Sequence, residues 1–141
     1  MTIAKKSSTP CSVFRPLVQI LALGLAASVT LAIPASADLA HGEKLWRKCM
    51  SCHTLEANGR NKVGPRLHGL FGRVAGSVVD YRYSDALKGS GIIWNERTLD
   101  AYLKDTQGFV PGSKMYGGLS QDEDRANLIQ FLKRATSAGV P

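Results

Sequence analysis

The sequence predicts an all-α domain, with a helix at each end, one or two short helices between them, and long loops. Three observations carry this. Apolar residues recur at helical spacing, about every 3.6 residues, near 38–50, in 96–104 and again after Glu123. Between residues 54 and 83 the chain is punctuated by Gly59, Gly64, Pro65, Gly69, Gly72 and Gly76 and carries little periodicity. No segment reads as a convincing strand.

The first 37 residues read as an export signal that is removed. Lys5, Lys6 and Arg15 give a positive start, Leu17 to Ile33 is an apolar run interrupted by Gln19, and Ala35-Ser36-Ala37 is a small-residue cleavage site before Asp38. A retained membrane anchor is the alternative. The apolar run falls a little short of the ~20 residues a spanning helix needs, and Pro34 and the A-x-A ending favour cleavage. Cleavage leaves residues 38–141 as one small domain with no stable membrane anchor. The whole chain carries +7; the signal holds three Lys and Arg and no acid, which leaves +4 on the domain. That mild excess suits an acidic protein partner or membrane rim. No basic stripe or base-reading motif points to nucleic acid.

The first helix is expected over Asp38 to Met50. Gly42, Leu45, Trp46 and Cys49 fall on one face. Glycine costs ~1 kcal/mol against Ala inside a helix, so Gly42 implies that another backbone comes close. A short helical turn follows at Tyr83 to Gly89, capped by Ser84 or Asp85. Asn95 caps a helix from Glu96 to Lys104, with Leu99, Tyr102 and Leu103 as its apolar face. Val110-Pro111-Gly112 breaks into a loop. Ser120-Gln121-Asp122-Glu123 has the form of a capping box. The helix behind it carries Leu128, Ile129, Leu132 and Ala135 on one side, with acids early and bases late as the helix dipole favours, and ends before Gly139. The small face at Gly42 and the apolar face at Leu128 and Leu132 are natural partners, so the first and last helices should cross there.

Cys49-Met50-Ser51-Cys52-His53 is the motif that carries chemistry. Two thiols at this spacing can each add to one vinyl group of a haem, and the adjacent imidazole can then bind the iron. C-x-x-C-H is read as a c-type haem attachment site. A thioredoxin-like disulfide would be set near a βαβ pattern, and none surrounds Cys49. A structural zinc site would need a second Cys or His pair, and none follows. Cys11 lies in the export signal. A haem would serve such a short chain as the centre of its core, and the chain without it is expected to be poorly ordered. Export and haem attachment support each other and imply a bacterial periplasm.

Iron bound to His53 has a second axial position. Of the methionines behind the signal, Met50 lies within the attachment loop and cannot reach the opposite face. Met115 sits on Pro111-Gly112-Ser113-Lys114-Met115, a stiff turn that can hold a thioether at a fixed height. A His/Met pair characterises electron-transfer centres and raises their potential. His41 and His68 are weaker rivals: His41 is close to the new terminus, and His68 lies in a Gly-rich turn.

Several ordered motifs now combine. They are Gly42-Glu43-Lys44-Leu45-Trp46, the haem motif with Thr54, Gly64-Pro65-Arg66-Leu67-His68-Gly69-Leu70-Phe71-Gly72-Arg73, Tyr81-Arg82-Tyr83-Ser84-Asp85-Ala86, Gly91-Ile92-Ile93-Trp94, Pro111 to Met115, and Asn127 to Leu132. With these the chain resembles class I cytochromes c, of the mitochondrial and bacterial c2/c550 type, over residues 39–138. The resemblance implies the class I fold, with N- and C-terminal helices crossing and short helices and long loops around one covalent haem. It implies that the Pro65 carbonyl accepts the His53 ring N–H, that Tyr83 and Trp94 hydrogen-bond a buried propionate with Arg73 balancing its charge, and that Tyr102 and Ser113 stand near the Met115 sulfur. Gly42, Trp46, Leu128 and Phe131 would make the helix crossing. Lys48, Lys62 and Lys114 would ring the haem edge and recognise partners. Three positions depart from the family pattern: Leu87 replaces a frequent Asn, Thr106 a frequent Pro, and Tyr116 stands nearest to an aromatic of the relatives.

The expected function is that of a monomeric, soluble periplasmic electron carrier with one haem c, bound by Cys49 and Cys52 and ligated by His53 and Met115. It is not expected to be an enzyme. Its partners would be redox proteins: a cytochrome bc1 type donor, and an oxidase, a reaction centre or a dehydrogenase. The alternatives are a haem subunit dedicated to one dehydrogenase, and a peroxidase or gas-binding protein with a labile sixth ligand.

Overall fold

The computed structural model describes residues 37–137. The segment expected to be an export signal lies, apart from Ala37, outside the described residues, as does Cys11. Among the described residues five helices appear in order: α1 (Leu39–Trp46), α2 (Asp85–Lys88), α3 (Glu96–Lys104), α4 (Thr106–Phe109) and α5 (Asp122–Ser137). Among the described residues the only β pairing is an isolated antiparallel bridge between Val74 and Ile93.

The first four helices start where a polar side chain takes up a free backbone N–H. The Asp38 carboxylate accepts from the His41 N–H at 3.0 Å. The Ser84 hydroxyl accepts from Leu87 N–H at 3.3 Å. Asn95 forms a full capping box with Thr98, 2.9 Å in each direction. Two expectations fail at helix ends. α1 stops at Trp46 and not at Met50, because the bonds tighten beyond it: Cys49 N–H reaches Trp46 O at 2.8 Å and Cys52 N–H reaches Cys49 O at 3.0 Å. Among the described residues no capping box forms between Ser120 and Glu123; the Ser120 carbonyl instead accepts from the Arg125 guanidinium at 2.9 Å. Periodicity did not reveal α4, a single turn capped by Asp105.

α1 and α5 cross at Gly42, as expected. A methyl group there would overlap the Asn127 carbonyl oxygen and stand 2.7 Å from Phe131 Cβ. Closeness is what lets Leu45, Trp46, Leu128 and Leu132 share one core with Leu99, Tyr102 and Leu103 of α3. Each such side chain, once buried, contributes ~1.5–3 kcal/mol. The Asp38 N–H donates to the Asn127 side-chain oxygen at 2.8 Å and adds a polar bond at the same junction.

Arg125 ties α5 to α3 and to the loop before α5. Its side chain is 2% exposed, yet every arm of the guanidinium is used. Nε donates to Asp100 at 2.7 Å, Nη2 to Asp122 at 2.6 Å, and Nη1 to the Leu119 and Ser120 carbonyls at 2.9 Å each. A buried charge is tolerable only with such complete partnering. On the exposed side Glu96 pairs with Lys133 and accepts from Gln130 at 3.0 Å.

Two expectations follow for stability. Gly42→Val should lower the unfolding free energy by about 1–3 kcal/mol, the range for overpacking, read as a lower denaturant midpoint with an unchanged slope. The Lys133 ammonium, more than burial opposes, holds the Glu96 carboxyl below its ordinary 4.5. Its contribution is therefore present above pH 4.5 and lost as pH falls through the depressed value. An exposed pair is worth ~0–1 kcal/mol. Glu96→Gln should be less stable than the parent by up to that amount at pH 7, and the gap should close in acid.

Candidate haem site

Behind the helix crossing lies a cavity of about 330 Å³. The turn after α1 brings Cys49, Cys52 and His53 to it, and the loop after α4 brings Met115. Its floor is apolar: Trp46, Leu70, Trp94, Leu99, Leu128 and Leu132 all face it. Of the residues singled out from the sequence, Pro65, Arg73, Tyr83, Tyr102 and Lys114 also line it. Ser113 lies one step behind, 1% exposed, and Tyr102 Oη donates to its hydroxyl at 3.3 Å. Lys48 and Lys62 are exposed and outside the cavity. Lys62 Nζ donates to the Met50 carbonyl at 2.7 Å.

His53 is set by its own neighbours. Its Nδ1 lies 2.7 Å from the Pro65 carbonyl oxygen. A carbonyl can only accept, so Nδ1 carries the proton and Nε2 keeps a lone pair. Burial pushes the imidazole pKa below its ordinary 6.5, against the upward pull of the Pro65 bond and helped by Lys62. The ring is thus neutral at pH 7, the form that binds a metal. Gly64 makes room for it: a methyl group there would collide with the ring, 2.7 Å from both nitrogens.

Cys49 and Cys52 are both free thiols. Burial first, and then Cys52, pushes the Cys49 thiol up, with Lys48 in partial opposition. Addition of a thiol across a vinyl double bond needs no oxidant: sulfur bonds one carbon and the thiol hydrogen ends on the other.

The far wall is short of negative charge. Arg73 donates to the His68 carbonyl at 2.7 Å and the Arg66 carbonyl at 3.2 Å, with no carboxylate partner among the described residues. Burial and the nearby Arg66 push its pKa down, against the pull of Tyr83. An anionic group beside Tyr83 and Arg73 would relieve this. Among the described residues no three His, Cys, Asp or Glu side chains gather to hold a bare metal ion. Paired thiols, a neutral imidazole, a thioether, apolar walls and a cationic corner together fit a haem.

Neither rival histidine enters the cavity lining. His41 Nε2 bonds the Asp124 carboxylate at 2.8 Å on the α1–α5 side. Leu87 does line the cavity and adds to its apolar surface. Tyr116 stands at the rim but is 81% exposed, so it does not pack as an aromatic of the loop. Gln107 and Arg125 were not singled out from the sequence. Gln107 donates to the Ser113 and Met115 carbonyls at 2.9 and 3.0 Å. Gln107 has no local signal, because only the fold of the following loop sets these carbonyls beside it; Arg125 had one, the i,i+3 pair with Asp122.

The family model for cytochrome c matches residues 39–136. The chain belongs to the cytochrome c family. It is 48% identical to cytochrome c of Gibberella zeae over 104 residues, covering 72% of this chain and 98% of that protein. Cytochrome c of Arabidopsis thaliana is 47% identical, over 74% of this chain and 95% of its own length. Cytochrome c2 of Blastochloris viridis is 40% identical, over 82% of this chain and 90% of its own. A cytochrome c carries one covalent c-type haem and moves electrons without catalysing bond chemistry, which bears out the fold, the cofactor and the non-enzymatic role expected from the sequence. Among the described residues of this cytochrome c no helix is long and apolar enough to cross a membrane.

Gly64→Ala should displace the imidazole from the Pro65 carbonyl. The expected readout is a shift of the His53 ring nitrogen resonances, with those of His41 unchanged.

Proposed function

We propose that this cytochrome c is an exported periplasmic electron carrier in which Cys49 and Cys52 hold the haem and His53 and Met115 bind its iron. The observation that carries the reading is the meeting of two thiols, an imidazole with a free Nε2 and a thioether in one apolar cavity, from distant stretches of chain. When bound, the haem supplies a one-electron ferric–ferrous couple. The residues around it set the terms. Pro65 fixes the His53 tautomer and ring orientation. Met115 would bind the iron through its thioether and leave substrate no open position. Leu70, Leu99, Leu128 and Leu132 keep water out and disfavour added positive charge, which favours the reduced state. Arg73, with Tyr83 and Trp94, would bind a propionate, and Tyr102 and Ser113 would brace the Met115 loop.

Export is supported by the A-x-A ending at Ala37 and by the positive and apolar segments before it. Partners of complementary charge would meet Lys48, Lys62 and Lys114, all exposed. They would be a bc1-type donor, and an oxidase, a reaction centre or a dehydrogenase. Steered encounters of this kind weaken with salt.

The test is Met115→Ala in the haem-loaded protein. The ferrous form should lose its low-spin spectrum and bind carbon monoxide, whereas the parent should not bind it. A low-spin ferrous spectrum without added ligand would overturn Met115 as the ligand. Mass analysis of acid-acetone-extracted protein should show porphyrin retained on a chain that starts at Asp38.

A further inference from the structure

We propose that Gln107 is a positioning residue for the Met115 thioether, acting as a donor clamp on the backbone of the ligand loop; this rests on reading Met115 as the iron ligand. Gln107 Nε2 lies 2.9 Å from the Ser113 carbonyl, 3.1 Å from the Ser113 hydroxyl and 3.0 Å from the Met115 carbonyl. Two of these three partners can only accept, so the amide must present its NH2 to them. One side chain thus bonds the backbone at the methionine itself and two residues before it.

The clamp is built locally and aimed by α4. The Asp105 carboxylate caps this turn by accepting from Gly108 N–H at 2.8 Å. Phe109 N–H reaches Asp105 O at 3.0 Å and Val110 N–H reaches Thr106 O at 3.1 Å. The turn turns Gln107 back over the loop that follows. Ser113 is fixed independently by the Tyr102 hydroxyl and by its own N–H to Val110 O at 3.0 Å. Downstream, Leu119 N–H reaches Leu103 O at 2.8 Å, and Arg125 holds the Leu119 and Ser120 carbonyls. Between these fixed points, among the described residues, the Met115 carbonyl has Gln107 as its one close donor, the Ser113 hydroxyl standing off at 3.5 Å. Tyr116, next in sequence, is exposed and braces nothing.

The consequence concerns how often the sulfur leaves the iron. An outside ligand such as imidazole binds only the open form, so its apparent Kd is inversely proportional to the open fraction. Each net hydrogen bond lost shifts that fraction.

The experiment uses haem-loaded protein carrying Gln107→Leu or Gln107→Glu. Imidazole is titrated against the ferric form, and the thioether–iron charge-transfer band is followed with temperature. Gln107→Leu should lower the apparent imidazole Kd about tenfold, equivalent to about 1.4 kcal/mol, and the band should fade at lower temperature. Gln107→Glu keeps the shape, loses the donors and sets carboxylate oxygens against two carbonyls, so its effect should be as large or larger. Glu96→Gln, which loosens the α3–α5 contact away from the loop, should bind imidazole as the parent does. Parent-like imidazole affinity in both Gln107 variants, with the band intact in the parent, overturns the clamp and leaves Met115 ligation standing. A parent-like Gln107→Glu beside a weakened Gln107→Leu overturns it too, since that pattern is packing. A parent without the band, or a Met115→Ala protein that binds imidazole no tighter than the parent, overturns the ligation reading and the clamp with it.

Discussion

The close contact of α1 and α5 at Gly42 holds the two ends of the domain together, and the haem wall depends on it. With no side chain at Gly42, α1 seats on the Asn127 and Phe131 turn of α5. Leu45 and Trp46 then reach the core shared with Leu128 and Leu132. The tightened turn that ends α1 hands Cys49, Cys52 and His53 to the cavity from the same rigid base. A bulkier residue at 42 would move the wall and its chemistry together.

The rest of the wall is loop, and loops need partners for their backbone groups. Here those partners are side chains, most of them five to eight residues away along the chain. Asn61 Oδ1 accepts from Arg66 N–H at 3.0 Å, and Tyr81 Oη donates to the Val63 carbonyl at 2.6 Å. Arg73 holds the Arg66 and His68 carbonyls. Gln107 and Arg125 do the same for the stretch from Ser113 to Ser120. Loop is usually the mobile part of a domain. In this cytochrome c the loops carry His53 and Met115, and bonded backbone replaces the stiffness that a helix would have supplied.

Electrostatics divides the molecule into a dry interior and a charged surface. Burial pushes both His53 and Arg73 towards their neutral forms, and pushes the Cys49, Tyr83 and Tyr102 groups towards theirs. Such an interior suits one delocalised charge change on a macrocycle and resists the entry of free ions. Arg125 is the exception that shows the rule. It is buried as a cation because two carboxylates and two carbonyls surround it, and the Asp100 and Asp122 carboxylates raise its pKa.

Sequence alone determined whatever depends on neighbours a few residues apart. Cys49, Cys52 and His53 announce haem attachment by their spacing, Asn95 announces the start of α3, and Gly42 within an amphipathic stretch announces a crossing. Their physics is local, so the string of residues contains it. The tertiary structure decided which of several competing partners a group takes: that α1 ends at Trp46, that Ser120 gives its carbonyl to Arg125 and forms no capping box, that His41 pairs with Asp124, and that Gln107 grips the loop of Met115. A polar side chain can bond many backbone groups equally well. Only the packing of α3, α4 and α5 brings one particular carbonyl within 3 Å of it.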